Sequence, residues 1–149
     1  MIVPPRSMPR GSPPDMVEAV SLVGRDPVIR VTAMPADTNA YGDIFGGWLL
    51  SLMDSGAGLV AARHSRGRAV TIALDGMKFH QPVKVGDEVS VYGDLQRVGR
   101  TSMTIAIEAF RRHRTEDEHV KVTEAIFTFV AIDEAGRPRP IAPGAIVQE

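Results

Sequence analysis

The 149-residue sequence contains no cysteine, which excludes disulfides, a thiolate nucleophile and thiolate metal sites together. A reducing compartment fits that composition, and the expectation is a cytoplasmic protein. Long hydrophobic runs are missing too. Asp54 and Arg63 interrupt the longest apolar stretch, so nothing reaches the roughly 18 residues expected of a membrane span. Charge of one sign is not in excess: 17 basic and 18 acidic residues leave a formal net charge of -1. Such a chain has no overall field to gather nucleic acid or an anionic membrane surface, and neither is expected as a partner.

Familiar catalytic signatures are also absent. No GxSxG elbow supports a serine nucleophile. His64, His80, His113 and His119 are scattered without HExxH-like spacing, so no metal is expected. GDIFGG lacks the lysine of a Walker-type phosphate loop.

The residues that are present divide the chain into a tail, one domain and an extension. Pro4, Pro5, Pro9, Pro13 and Pro14 mark the start, which lacks the apolar run of about 7–15 residues a signal peptide needs. Residues 1–26 therefore read as a flexible tail. From Pro27 to Met34, Ile29, Val31 and Ala33 alternate with Val28, Arg30 and Thr32, a pattern that suits a strand. Ala36 to Gly47 carries turn chemistry. Trp48 to His64 is apolar all round at a length of four or five helical turns, which predicts a helix buried on most sides. Gly56 and Gly58 weaken that helix by about 1 kcal/mol each relative to Ala, which calls for a sheet lying close to its backbone.

Beyond Arg68 the period changes to two. Val70 to Phe79, Glu88 to Val98, Thr101 to His113 and His119 to Ile132 read as strands, with short turns at Gly86-Asp87 and around Gly99. One long apolar helix followed by an antiparallel meander is best satisfied by wrapping the sheet around the helix. That is an α+β hotdog architecture, expected over residues 27–135, with 136–149 a loosely packed extension rich in Gly and Pro.

Asp54 is the charged residue that stands alone between Phe45 and Ala62, and a carboxylate on an apolar helix needs a reason. One reading is a structural Asp bonded to backbone or to a subunit partner. The other is a general base or nucleophile, since a desolvated carboxylate is the stronger proton acceptor. Gly46 and Gly47 begin the helix, where free N–H groups favour negative charge and could act as oxyanion donors. Gly47 and Asp54 share a face but lie about 10 Å apart along the axis, too far to grip one reacting group. Two paired subunits would let the helix start of one chain meet the carboxylate of the other. Asn39 and Asp43 belong to the preceding loop, where such residues make turns more often than chemistry, although either could orient a water or carbonyl. Arg97, Arg100, Arg111, Arg112 and Arg114 gather on the central hairpin in sequence and could hold the phosphates of a nucleotide-bearing substrate. Equally, they could be a charged sheet edge that resists aggregation.

With AMPADTNAYGDIFGGWLLSLMD, GMKFHQPVKVGDEV, VGRTS and TEAIFTFVAID in order along the chain, the sequence resembles the YciA-type and brain acyl-CoA hydrolase branch of hotdog thioesterases. The similarity runs from about Val31 to Pro140. It implies cleavage of acyl-CoA to a free carboxylic acid and CoA by a homodimer, often a trimer of dimers (a hexamer), with no metal or redox cofactor. It also implies that the catalytic helix carboxylate is Asp54, that the asparagine from the facing protomer is Asn39 with Asp43 in reserve, and that Gly46 and Gly47 polarise the carbonyl. The CoA-contacting hairpin would be Gly99, Arg100, Thr101 and Ser102. Trp48, Leu52, Met53, Leu74 and Phe79 could line the acyl tunnel or pack beside it. Two rival readings fit less well. A hotdog dehydratase needs a histidine near the acyl α or β carbon, and the helix has none before His64. An acyl-CoA sensor would need an effector segment, and none is evident.

Overall fold

The strands follow from alternation. In Ser102–Arg112 every second side chain from Met103 to Ala109 is buried, so one face of the strand is apolar and the other is partly wet. The structure, a computed structural model, describes residues 19, 20, 22 and 24–142. The elements in chain order are β1 (Ala19–Val20), β2 (Ile29–Thr32), α1 (Gly46–Ser65), β3 (Ala69–Phe79), β4 (Glu88–Val98), β5 (Ser102–Arg112) and β6 (His119–Ala131), with a 3-10 turn at Pro35–Asp37. All strand pairings are antiparallel, in the order β1-β6-β5-β4-β2, and β3 lies along β6 beside β1. The sheet curls around α1, as the hotdog expectation required.

Met53, Met103, Ile105 and Phe127 are among the fully buried side chains between helix and sheet, where truncation of an aliphatic to Ala costs about 2–5 kcal/mol each. Gly56 explains how closely the layers approach. A Cβ there would meet Val28 and Val91 at 3.0 and 3.1 Å, tighter than a well-packed core tolerates. Gly58 has no such constraint, since its Cβ would stand 3.7 Å from Phe129.

Two expectations are corrected. α1 is not buried on most sides: Leu49, Met53, Gly56, Ala57 and Ala61 face the core, whereas Gly47, Ser51, Ser55, Leu59 and Ala62 form an exposed stripe. The stretch after residue 135 is not loosely packed through Ala142. Ile141 is buried in the core and its N–H donates to the Arg100 carbonyl at 2.8 Å. Arg139 donates to the carbonyls of Ile132, Ser65 and Arg68 and to Ser65 Oγ. Backbone hydrogen bonds, the Arg139 guanidinium and one buried isoleucine dock a segment whose Gly and Pro content reads as irregular. Residues 1–18 of the expected tail and 143–149 of the extension lie outside the described residues. Of the expected tail's described residues, Ala19–Val20 (β1) pair with β6, and Arg25 reaches Asp94, Glu108 and the face of Tyr92.

His119 opens β6 with its Nε2 sealed from solvent and without a hydrogen-bond partner among the described residues. Burial pushes its pKa below the ordinary 6.5, helped by Arg112 and Arg30 and opposed by Glu88. The folded protein therefore binds fewer protons here than the unfolded chain, and stability falls as pH drops from about 6.5 through the folded value. His119→Gln is expected to flatten that slope: between about pH 7.5 and about pH 5.5 the wild-type Tm drops by more than the variant's. Parallel Tm curves would exclude His119 as the source.

Candidate active site

Asp54 lies on the third turn of α1, half-buried at the boundary between the helix and β3. Thr71 Oγ1 donates to Asp54 Oδ1 at 2.6 Å, which fixes one carboxylate oxygen and leaves the other to act outward. Thr71 was not anticipated from the sequence. Its only signal there is a hydroxyl in the phase of a strand, and the link to Asp54 appears once β3 is laid against the helix.

Beside Asp54 the sheet ends. β3 pairs with β6 on one side, and its other edge has no strand partner among the described residues. Val70 and Ile72 on this strand are 41% and 58% exposed. A long, apolar, unpaired edge is what natural monomers avoid.

The loop before α1 builds a second centre. Asn39 Oδ1 accepts from the N–H groups of Tyr41 (2.8 Å) and Asp43 (3.1 Å), and the Asn39 N–H donates to the Asp43 carbonyl at 2.7 Å. The asparagine thus folds the loop with its oxygen, and its Nδ2 amide makes no hydrogen bond among the described residues. Phe45 caps α1 without a side-chain bond, and no acidic residue occupies the first turn, so the N–H groups of Gly46 and Gly47 are left for an outside acceptor. Gly46 lies against the Phe79 ring: a Cβ there would meet its far end at 2.9 Å, so the exposed ring would have to move.

Asn39, Asp43 and Gly46 line one cleft of about 500 Å³ together with Phe79, His80 and Gln81. Asp54 and Gly47 do not line it. Of the side chains named for an acyl tunnel, Phe79 alone belongs to this cleft, and Met53 is fully buried in the core. Near the rim, His80 bonds Glu124 at 3.1 Å. A hydrogen bond from Lys121, with His80 adding to it, holds the Glu124 carboxyl below its ordinary range.

Gly99, Arg100, Thr101 and Ser102 form the tight turn between β4 and β5, closed by the Gly99 N–H on the Ser102 carbonyl at 2.8 Å. This turn and the Asn39 cleft stand at opposite ends of the sheet, separated by eleven residues of β5, roughly 35 Å at the usual rise. The same length corrects the arginine cluster. Arg97 and Arg100 sit at the turn, whereas Arg111, Arg112 and Arg114 sit at the far end. There Arg112 pairs with Glu88 and Arg111 donates to the Pro82 carbonyl. Among the described residues, no group of three or more His, Asp or Glu side chains is placed to hold a metal ion, and no helix is long and apolar enough to cross a membrane.

Residues 41–118 match the thioesterase superfamily. An uncharacterized acyl-CoA thioester hydrolase of Zymomonas mobilis is 57% identical over 118 residues, 79% of this chain and 79% of that protein. The acyl-CoA thioester hydrolase YciA of Escherichia coli is 46% identical over 119 residues, 78% of this chain and 90% of YciA. The crystal structure of a hexameric thioesterase from Yersinia pestis superposes with a TM-score of 0.77 at 47% identity, covering 81% of this chain and 98% of that one. An acyl-CoA hydrolase of Staphylococcus aureus, solved with butyryl-CoA and CoA, gives 0.71 at 27% identity, covering 76% and 69%. That enzyme was also solved with an Asp and with an Asn replaced by Ala, at positions fifteen apart. Asn39 and Asp54 have the same spacing.

Proposed function

The chain belongs to the thioesterase superfamily, in the branch of YciA-type acyl-CoA thioester hydrolases, and we propose that it hydrolyses acyl-CoA to the free acid and CoA in sites completed by two copies of itself. The observation that carries this reading is a division within one chain. The Asn39–Gly46 cleft and Asp54 belong to different surfaces, and an unpaired apolar strand edge lies beside Asp54. Pairing two β3 edges about a two-fold axis brings the helix start of one copy to the Asp54 of the other. It also covers Val70, Ile72 and the exposed stripe of α1.

In such a site the thioester carbonyl accepts from the Gly46 and Gly47 N–H groups and from Asn39 Nδ2, while Asp43 shapes the loop. Asp54 takes a proton from water, whose oxygen adds to the carbonyl carbon. The negative charge that collects on the carbonyl oxygen meets donors already in place, the arrangement that lowers an acyl-transfer barrier most. Collapse breaks the C–S bond, and the CoA sulfur leaves with the proton that Asp54 holds. Direct attack by Asp54 through an anhydride uses the same carboxylate. The Gly99–Ser102 turn contacts CoA, and no cofactor enters the chemistry. Three dimers are expected to assemble into a hexamer, the state recorded for the Yersinia enzyme.

The test is thiol release from short, medium and long acyl-CoAs by the wild type and by Ile72→Lys, with light scattering for assembly. Wild type is expected to turn over. Ile72→Lys places a charge on the β3 edge and is expected to yield smaller species with hydrolysis down roughly a hundredfold. A monomeric Ile72→Lys with full turnover would sink the shared site, and no thiol release from any acyl-CoA would sink the hydrolase reading.

A further inference from the structure

A second cleft, of about 910 Å³, opens at the other end of α1. Val60 and Leu95 form part of an apolar wall, and Arg63, His64, Arg66 and Arg139 supply the polar side, with no carboxylate in its lining. Two of these arginines carry no ion pair among the described residues that would occupy them. Arg25, Arg30 and Arg112 rest on Asp94, Glu108 or Glu88, whereas Arg63 and Arg66 have no acidic partner among the described residues. The helix terminus does not need them either. Arg139 already donates to the Ser65 carbonyl at 3.0 Å and so answers the negative end of the helix dipole. His64 Nε2 is sealed from solvent in this region and has no hydrogen-bond partner among the described residues.

Arg66 adds a conformational argument. It caps α1 at φ 60° and ψ 42°, a left-handed position that ordinarily belongs to glycine. Arg66 is the one non-glycine residue with positive φ among the described residues. A side chain retained where its backbone is strained points to work done by that side chain.

We propose that this cleft binds the phosphate groups of a nucleotide-bearing ligand through Arg63 and Arg66, with the base against the Val60 and Leu95 wall. Guanidinium groups suit phosphate oxygens because they present paired donors in a fixed plane. Two sources share this chemistry: the nucleotide end of CoA itself, which rests on the thioesterase reading, and a free nucleotide, which does not.

Calorimetric titration with inorganic pyrophosphate and with adenosine 3′,5′-diphosphate tests the site without reference to catalysis. Wild type is expected to bind, and Arg66→Gly and Arg63→Ala each to weaken binding about tenfold. Arg66→Gly relieves the left-handed strain, so its Tm should hold or rise, which separates lost binding from lost folding. If CoA is the source, Arg66→Gly raises KM for acyl-CoA about tenfold but not for the matching acyl-pantetheine. If a free nucleotide is the source, KM stays put while diphosphate binding is lost. A wild type that binds neither probe, or variants that bind as tightly as wild type, would overturn the proposal even if thiol release is robust.

Discussion

Asp54→Asn is expected to cut acyl-CoA hydrolysis by ~1,000-fold or more, because the amide can neither take a proton from water nor attack the carbonyl. Its near-identical shape should keep the hydrogen bond to Thr71 and the assembly in place, so the loss appears in kcat. Thr71→Val separates position from chemistry. The carboxylate stays but loses the hydroxyl that fixes one of its oxygens at 2.6 Å, and kcat should fall about tenfold with little change in KM. Thr71→Ser should restore most of it. Asp54→Asn with wild-type turnover would remove Asp54 from the reaction. Single-turnover hydrolysis in 18O-labelled water identifies one route: unlabelled oxygen passed from Asp54 to the product marks an anhydride opened by water at the Asp54 carbonyl carbon.

The second large effect is a recovery. Asn39→Ala chains and Asp54→Asn chains should each be nearly inactive alone, yet an equal mixture that has exchanged subunits should regain activity. Half of the dimers formed are mixed. Each mixed dimer holds one site with both residues intact and one with both replaced, so about a quarter of wild-type turnover returns. Native mass spectrometry counts the mixed species. Mixed assemblies without recovered thiol release would mean that Asn39 and Asp54 act within one chain, contrary to the shared site.

Much of this architecture was legible in the sequence, for identifiable reasons. β4, β5 and β6 carry a period of two strong enough to bound them within a residue or two, and Gly56 announced the close helix–sheet approach that the contacts with Val28 and Val91 require. The unpaired β3 edge was not legible, because Val70 and Ile72 look the same in a strand that will be covered by its own chain and in one that will not. The apolar surface of α1 misled for the same reason: Leu59 is apolar but exposed in one copy. The arginines misled through distance, since residues close along a hairpin can stand a full strand apart. Asp54 stood out as a lone carboxylate on an apolar helix, whereas its pairing with Asn39 came from the resemblance. Their local chemistry, an Asx-type turn and a threonine bond, becomes visible only with the loop and β3 in position.

The bare edge of β3 also bears on how the protein comes into being. A freshly synthesised copy carries Val70 and Ile72 in the open beside backbone groups ready to pair, and under the shared-site reading it has no working centre. Its supply of activity then rises with the square of concentration at low abundance, and the same edge offers a foothold to chaperones or to aggregation until a second copy arrives. Expression level, before any ligand, sets whether the cell holds an enzyme or a pool of sticky, idle halves.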